Sequence, residues 1–395
     1  MKKLLSIILA ILMLLSFASC NGDTSESIAE SSAISSSESA EESKPEMTPP
    51  TINGNQLSDY TIIYQDLDKM SREACRYKDV AIEIQNYFKE NYSQKVRIAP
   101  HTTKEADKEI ILGFMTTRSI ALNYTNTYEY DKYKVVIQGD KIWICGSYAS
   151  GVYQGFEALV EMFNSSEDKE FGDTEFSGQG KVIKVSTVGD SITQGINSYD
   201  YTKVYPYYLQ KMLGFDYYVL NSGLTSTSIC TIDGKYCYST TAEYRAAIQF
   251  KPDVMLFGLG TNDANPNPDY PNKDWENPAN NRVEVFKRDT KALWDSLYAA
   301  NPDVQIFVIL PPALIDKPEG KFWRPVEWTA NIEKYSHPLL VGLAEEYELP
   351  TVDMFPWSQE NPDVFTDGLH PIGASYRKYA LHIYEGISEL IKKPE

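Results

Sequence analysis

Two kinds of hydrophobic patterning divide the chain. Between about residues 55 and 165, short apolar runs predict strands at Tyr60–Tyr64, Val96–Ala99, Glu109–Phe114, Tyr133–Ile137 and Lys141–Cys145, the last two joined as a hairpin by Gln138-Gly139-Asp140. Ala74, Tyr77, Ala81, Ile84 and Phe88 recur at spacings of three and four, which predicts a helix from Asp68 to about Tyr92. A second helix is expected from Gly151 to Phe163, and strands with helices to one side point to a small α+β domain over 55–165. The polar, glycine-containing stretch from Asn164 to Gly180 reads as a junction. Beyond it, over 180–395, the pattern becomes a strict alternation. Strands are expected at Val182–Val188, Tyr218–Asn221, Val254–Leu259, Gln305–Leu310 and Thr351–Met354. Helices are expected near Val204–Leu213, Ala242–Phe250, Val283–Ala300, Thr329–Tyr347 and Ala374–Ile391. Alternation of this kind predicts an α/β fold with a parallel sheet covered by helices on both faces.

The first 54 residues follow neither pattern. Lys2 and Lys3 precede an apolar run from Leu4 to Leu15, and small residues then lead to Cys20, the arrangement of an export signal. The segment Phe17-Ala18-Ser19-Cys20 resembles a bacterial lipobox, which implies acylation of Cys20 and anchoring on the outer face of the cell membrane. Phe17 departs from the Leu usual at its position in that motif. Residues 21–54 are rich in Ser and Glu and hold too few apolar groups to offset the entropy of ordering, so they read as a disordered linker.

Composition narrows the partners. The formal net charge is −18, and loss of Lys2 and Lys3 with the signal makes it two units more negative. No basic patch stands against that charge, which disfavours nucleic acid and anionic surfaces. Of the five cysteines, Cys230 and Cys237 bracket a loop and are close enough in sequence for a disulfide, while Cys75 and Cys145 read as buried thiols. No Cys or His cluster has metal-ligand spacing, and nothing suggests a nucleotide cofactor.

In a parallel α/β sheet, ligands bind beyond the carboxyl ends of the strands. Four polar segments stand there: Gly189-Asp190-Ser191, Ser222-Gly223, Gly260-Thr261-Asn262-Asp263, and Asp367-Gly368-Leu369-His370 just before the last helix. A serine hydroxyl needs a base to take its proton during attack. Of the four histidines, only His370 has a carboxylate three residues ahead, Asp367, able to orient its ring; His337 has no acidic residue at such a spacing. In this order the segments resemble the blocks of the SGNH (GDSL-like) hydrolases. The resemblance covers about 182–391. It implies a flavodoxin-like three-layer sheet, a Ser191–His370–Asp367 triad with no cofactor, and an oxyanion hole of the Ser191 and Gly223 N–H groups and the Asn262 amide. Ile372 stands where Asn is common in that family, a difference assigned to helix capping. Residues 55–165 resemble the non-catalytic α+β domain preceding the barrel of β-hexosaminidases and α-glucuronidases, through Glu109-Ile110-Ile111-Leu112-Gly113, Tyr133–Ile137 with Ile142–Gly146, and Gly151-Val152-Tyr153-Gln154-Gly155.

Two long loops follow strands on the expected active-site side. Tyr270 and Trp275 lie in one, and Trp323 and Trp328 in the other, so all four are candidate stacking platforms for sugar rings. With the surface anchor, they point to removal of O-acetyl groups from an extracellular polysaccharide. A lipase or thioesterase of the same fold and a non-catalytic glycan-binding lipoprotein are the competing expectations.

Overall fold

In the computed structural model, short apolar segments of the N-terminal half assemble into two sheets. Described residues are 47–394 except 116, 117, 119–128, 197 and 319–323, so the signal segment, Cys20, residues 21–46 of the expected linker and Trp323 lie outside them; residues 51–54, read as the end of that linker, instead form a strand and its turn. A small sheet joins β1 (Thr51–Ile52), β2 (Asn55–Gln56) and β8 (Glu170–Phe171). The larger one contains β3 (Thr61–Tyr64), β4 (Arg97–Pro100), β5 (Glu109–Leu112), β6 (Lys132–Gln138), β7 (Lys141–Gly146) and β9 (Thr174–Gln179), in the order β4-β3-β5-β7-β6-β9. β4, β3, β5 and β7 run parallel, and β6 is antiparallel to both its neighbours. The helices Tyr77–Tyr92 and Ala149–Ser165 pack on this sheet and on each other.

Two expectations change here. β9 occupies the stretch read as a polar junction. Its sole large apolar residue is Phe176, so no period-two signal marked it; the backbone ladder to β6 makes it a strand. The first helix begins at Tyr77 rather than Asp68. Residues 68–76 form a non-helical strap, because Arg72 and Ala74 spend their backbone groups on a strand of the other sheet.

That other sheet contains β10 (Ile183–Gly189), β11 (Tyr217–Gly223), β12 (Val254–Gly258), β13 (Gln305–Leu310) and β14 (Thr351–Asp353), all parallel, in the order β11-β10-β12-β13-β14. Alternate residues of each strand face opposite sides. Val254 and Leu256 join a core with the helices Tyr205–Leu213 and Ser375–Ile387. Met255 and Phe257 join another with the helices Ala242–Phe250, Arg282–Ala300 and His337–Glu346. The result is the flavodoxin-like three-layer α/β fold, with its strand order reversing between β10 and β12. The helix expected over Thr329–Tyr347 contains a π-helical turn, Ile332–Ser336, just before Pro338, whose ring nitrogen cannot donate to a preceding carbonyl.

Residues 48–395 make one compact unit. The two large sheets meet through aromatic contacts: Tyr153 stacks on Phe215 at 4.6 Å, and Tyr130 and Tyr148 pack on Tyr218. Cys230 and Cys237 are free buried thiols, so the bridge that their spacing allowed is not formed; Cys75 and Cys145 are also buried and free.

Candidate active site

The C-terminal ends of β10, β11 and β12 and the turn before the last helix converge on one place. β10 ends at Gly189, and Asp190 starts the short helix Ser191–Gln194 by accepting the Ile192 N–H on its Oδ1 at 2.9 Å. Ser191 is thereby held at the first turn, where its own N–H has no intrahelical acceptor. A side chain at Gly189 would meet Thr193 Oγ1, so glycine is needed for the sharp exit from the strand.

Ser191 Oγ lies 2.8 Å from His370 Nε2. His370 Nδ1 lies 2.9 Å from Asp367 Oδ2. The other carboxylate oxygen, Oδ1, accepts the backbone N–H groups of His370 at 2.7 Å and Leu369 at 3.0 Å. A turn closed by Thr366 N–H donating to His370 O carries this arrangement, and it passes through Gly368 at φ 96°, where a Cβ would lie 2.6 Å from Ile315 O. Burial works to raise the Asp367 carboxyl, but the His370 ring and the two N–H donors outweigh it and hold its pKa at about 2. The carboxylate is charged at neutral pH. It accepts a hydrogen bond from Nδ1–H, which keeps the ring proton on Nδ1 and leaves Nε2 as a lone-pair acceptor facing the serine hydroxyl. The remaining histidines stand apart: His101 Nδ1 accepts the Asp66 N–H, and His382 stacks on Trp357. His337 Nε2 lies 3.0 Å from Asp353 Oδ1, a pairing across 16 residues that spacing along the sequence did not reveal.

The oxyanion side needs correction at Gly223. Its N–H donates to Asn221 Oδ1 at 3.0 Å and is not open to a ligand. Glycine is required there for another reason: a Cβ would lie 2.4 Å from Gln194 N, inside the nucleophile's helix. Three residues on, Ser226 adopts φ 64°, a conformation that costs a non-glycine residue about 1 kcal/mol or more. Ser226 is exposed, and its N–H donates no hydrogen bond among the described residues. Asn262 Nδ2 donates to Thr227 O at 3.0 Å and approaches Asp190 Oδ2 at 3.4 Å, which sets this amide against the same turn. Among the described residues, the N–H groups at this end that donate no hydrogen bond include those of Ser191 and Ser226; the Asn262 amide stands beside them with one Nδ2 hydrogen donated to Thr227 O and the other directed more loosely at Asp190. No residue type marked Ser226 in the sequence, because serine is not what a left-handed backbone predicts.

A buried charge cluster holds these loops together. Asp263 accepts the N–H groups of Ile229 and Cys230, while Arg282 donates to Asp263 O and, through both terminal nitrogens, to Asp233. Lys273 Nζ donates to Asn262 O at 2.8 Å. Burial raises the Asp263 carboxyl against the pull of Arg282, and burial lowers the Lys273 ammonium. Among the described residues no group of three His, Cys, Asp or Glu side chains is arranged to hold a metal ion.

The candidate sugar platforms separate. Trp275 is buried, donates Nε1–H to Asp263 O at 3.1 Å and stacks on Tyr335; Trp328 is buried and donates to Thr261 O at 2.7 Å. Both anchor loops and neither offers a free face, so these two expectations are overturned. Tyr270 is half-buried, with its ring edge-to-face on Tyr236 and Lys273 Nζ 5.3 Å from its centre.

Residues 187–378 match the GDSL-like Lipase/Acylhydrolase family. The match covers just under half of the chain and supports a domain of that family there. An acetylxylan esterase of Xylanibacter ruminicola is 26% identical over 208 residues, 50% of this chain and 42% of that protein, so the chain spans less than half the relative's length. Among solved structures, a lipase/acylhydrolase from Enterococcus faecalis is 20% identical, covering 54% of this chain and 99% of its own, with a TM-score of 0.40. Est24, a carbohydrate acetylesterase from Sinorhizobium meliloti, is 17% identical, covering 53% and 100%, with a TM-score of 0.38.

Proposed function

We propose that this GDSL-like protein is an exported serine esterase, anchored through Cys20, that removes O-acetyl groups from a polysaccharide. The observation that carries the reading is the unbroken chain Ser191 Oγ–His370 Nε2, His370 Nδ1–Asp367 Oδ2, at 2.8 and 2.9 Å. In the first step Ser191 Oγ attacks the acetyl carbonyl carbon while its proton passes to His370 Nε2. The carbonyl oxygen becomes an oxyanion received by the Ser191 and Ser226 N–H groups and the Asn262 amide. Collapse expels the sugar oxygen, which takes the proton from His370 and leaves as an alcohol. Water, deprotonated by the same imidazole, then attacks acetyl-Ser191 and releases acetate. Loss of one oxyanion donor typically costs about 3 kcal/mol of transition-state stabilisation.

The carbohydrate assignment is supported by the similarity to an acetylxylan esterase. Tyr270, which is half-buried, is the remaining described candidate for contact with a sugar. Acetate release from acetylated xylan, mannan, pectin and peptidoglycan, compared with hydrolysis of long-chain acyl esters, tests the reading. Acetate from at least one glycan, lost in Ser191→Ala, is expected. Hydrolysis of long-chain esters with no acetate from any glycan overturns the polysaccharide assignment in favour of a lipase.

A further inference from the structure

The strap 68–76 lies more than a hundred residues before the family region, yet it reaches the edge of the catalytic sheet. β11 is an edge strand, so its outer backbone groups need partners. The strap supplies them: Ala74 N–H donates to Val219 O and Asn221 N–H donates to Arg72 O, each at 2.9 Å. Past Asn221 the strap backbone no longer follows the strand, and the Arg72 side chain takes over. One guanidinium nitrogen donates to Asn221 O at 3.2 Å and Gly223 O at 2.7 Å, and the other donates to Glu243 Oε1 at 3.0 Å.

The consequence falls on the turn that carries the Ser226 N–H. The Gly223–Leu224 peptide is held on both sides, its carbonyl by Arg72 and its N–H by Gly189 O at 2.9 Å, at the end of the nucleophile's own strand. A second path arrives by Lys69, whose carbonyl accepts the Tyr201 N–H at 2.7 Å. Tyr201 OH accepts from Gln194 Nε2, and Gln194 Oε1 accepts the Thr225 N–H at 2.6 Å. The strap keeps its own shape through Arg76, which donates to Asp68 O and Ser71 O.

We propose that Arg72 is a positioning residue for the reaction at Ser191: its guanidinium fixes the Gly223–Leu224 peptide and so the oxyanion-side turn, making the N-terminal segment part of the catalytic apparatus. The proposal rests on the esterase reading and adds to it the role of the preceding domain. Its size follows from the tolerance of catalytic geometry, in which a misplacement of about 1 Å costs on the order of 100-fold. The Arg72–Glu243 contact is partly solvent-exposed on both sides, so the two carbonyl bonds are the part that matters.

The test uses the full exported chain with 4-nitrophenyl acetate as the probe. Arg72→Ala is expected to lower kcat about 10- to 100-fold with KM within about threefold of wild type. Millimolar guanidinium is expected to restore part of the lost rate, and Arg72→Lys to retain an intermediate rate. Glu243→Gln, which keeps both carbonyl bonds, is expected to stay near wild type. Amide hydrogen exchange is read in parallel, and Arg72→Ala is expected to speed exchange at Leu224 and Thr225. Unchanged exchange at those two amides overturns the proposal whatever the activity. So does a Glu243→Gln loss equal to that of Arg72→Ala, since the ion pair would then be the active element. Should Arg72→Ala not fold, Arg72→Lys carries the same comparison. A wild-type protein without acyl-ester turnover defeats the esterase reading instead, and the exchange comparison still decides the brace.

Discussion

Replacing Asp367 by Asn changes one atom and tests the proton arrangement of the whole site. Oδ1 of Asp367 accepts two backbone N–H groups, at 2.7 and 3.0 Å, so the asparagine carbonyl must take that position. Its amide nitrogen then faces His370 Nδ1 as a donor. The ring can answer only by placing its proton on Nε2, which turns the atom 2.8 Å from Ser191 Oγ from an acceptor into a donor. Loss of the base in this way lowers kcat by about 10⁴-fold, or about 5.5 kcal/mol at 1.36 kcal/mol per decade. Stability changes much less. The Asp367 pKa of about 2 lies below its ordinary 3.8, so the carboxylate adds stability above about pH 4 that is lost as pH falls through 2. Discounted for the partial exposure of the side chain, this is about 1–2 kcal/mol. The assay is kcat on 4-nitrophenyl acetate at neutral pH, together with a urea melt to verify folding. Asp367→Ala, which imposes no donor on Nδ1, should exceed Asp367→Asn in rate. A folded Asp367→Asn protein within tenfold of wild type would refute the assigned proton positions.

Gly223→Ala should lower both activity and stability, the latter by about 1–3 kcal/mol, because its Cβ must displace the helix bearing Ser191; unaltered melting and kcat would contradict this packing. Trp328→Phe should cost about 1–3 kcal/mol in a denaturant melt by orphaning the Thr261 carbonyl, with KM for acetylated xylan unchanged; a raised KM with unaltered stability would return Trp328 to the substrate site. Burial lifts Asp190 to about 6, above its ordinary 3.8, so its charged form destabilises the fold, with no cost below about pH 4 and about 3 kcal/mol once pH passes 6. Asp190→Asn should gain stability relative to wild type across that interval, and a pH-independent difference in urea melts would count against it.

Much of the catalytic half was legible in the residues because a parallel sheet writes its own pattern. Buried strands appear as continuous apolar runs, the helices between them recur at 3.6 residues, and polar segments after strands mark the ligand edge. Ser191, Asp367 and His370 could be singled out because each chemical role demands a residue type, and because Asp367 and His370 lie one turn apart. Other features depend on contacts that no local pattern encodes. β9 is a strand through its ladder with β6, and 68–76 is a strap, not a helix, because β11 had an edge to fill. Trp275 and Trp328 look alike as exposed platforms or buried anchors until a carbonyl is found to accept each indole N–H. Gly223 drew the oxyanion role because glycine allows close approach, but what approaches it is Gln194, and the open N–H belongs to Ser226. Sequence alone determined which groups can do chemistry and in what kind of sheet. Tertiary structure decided which backbone amides remain free, since hydrogen-bond occupancy is a property of neighbours distant along the chain.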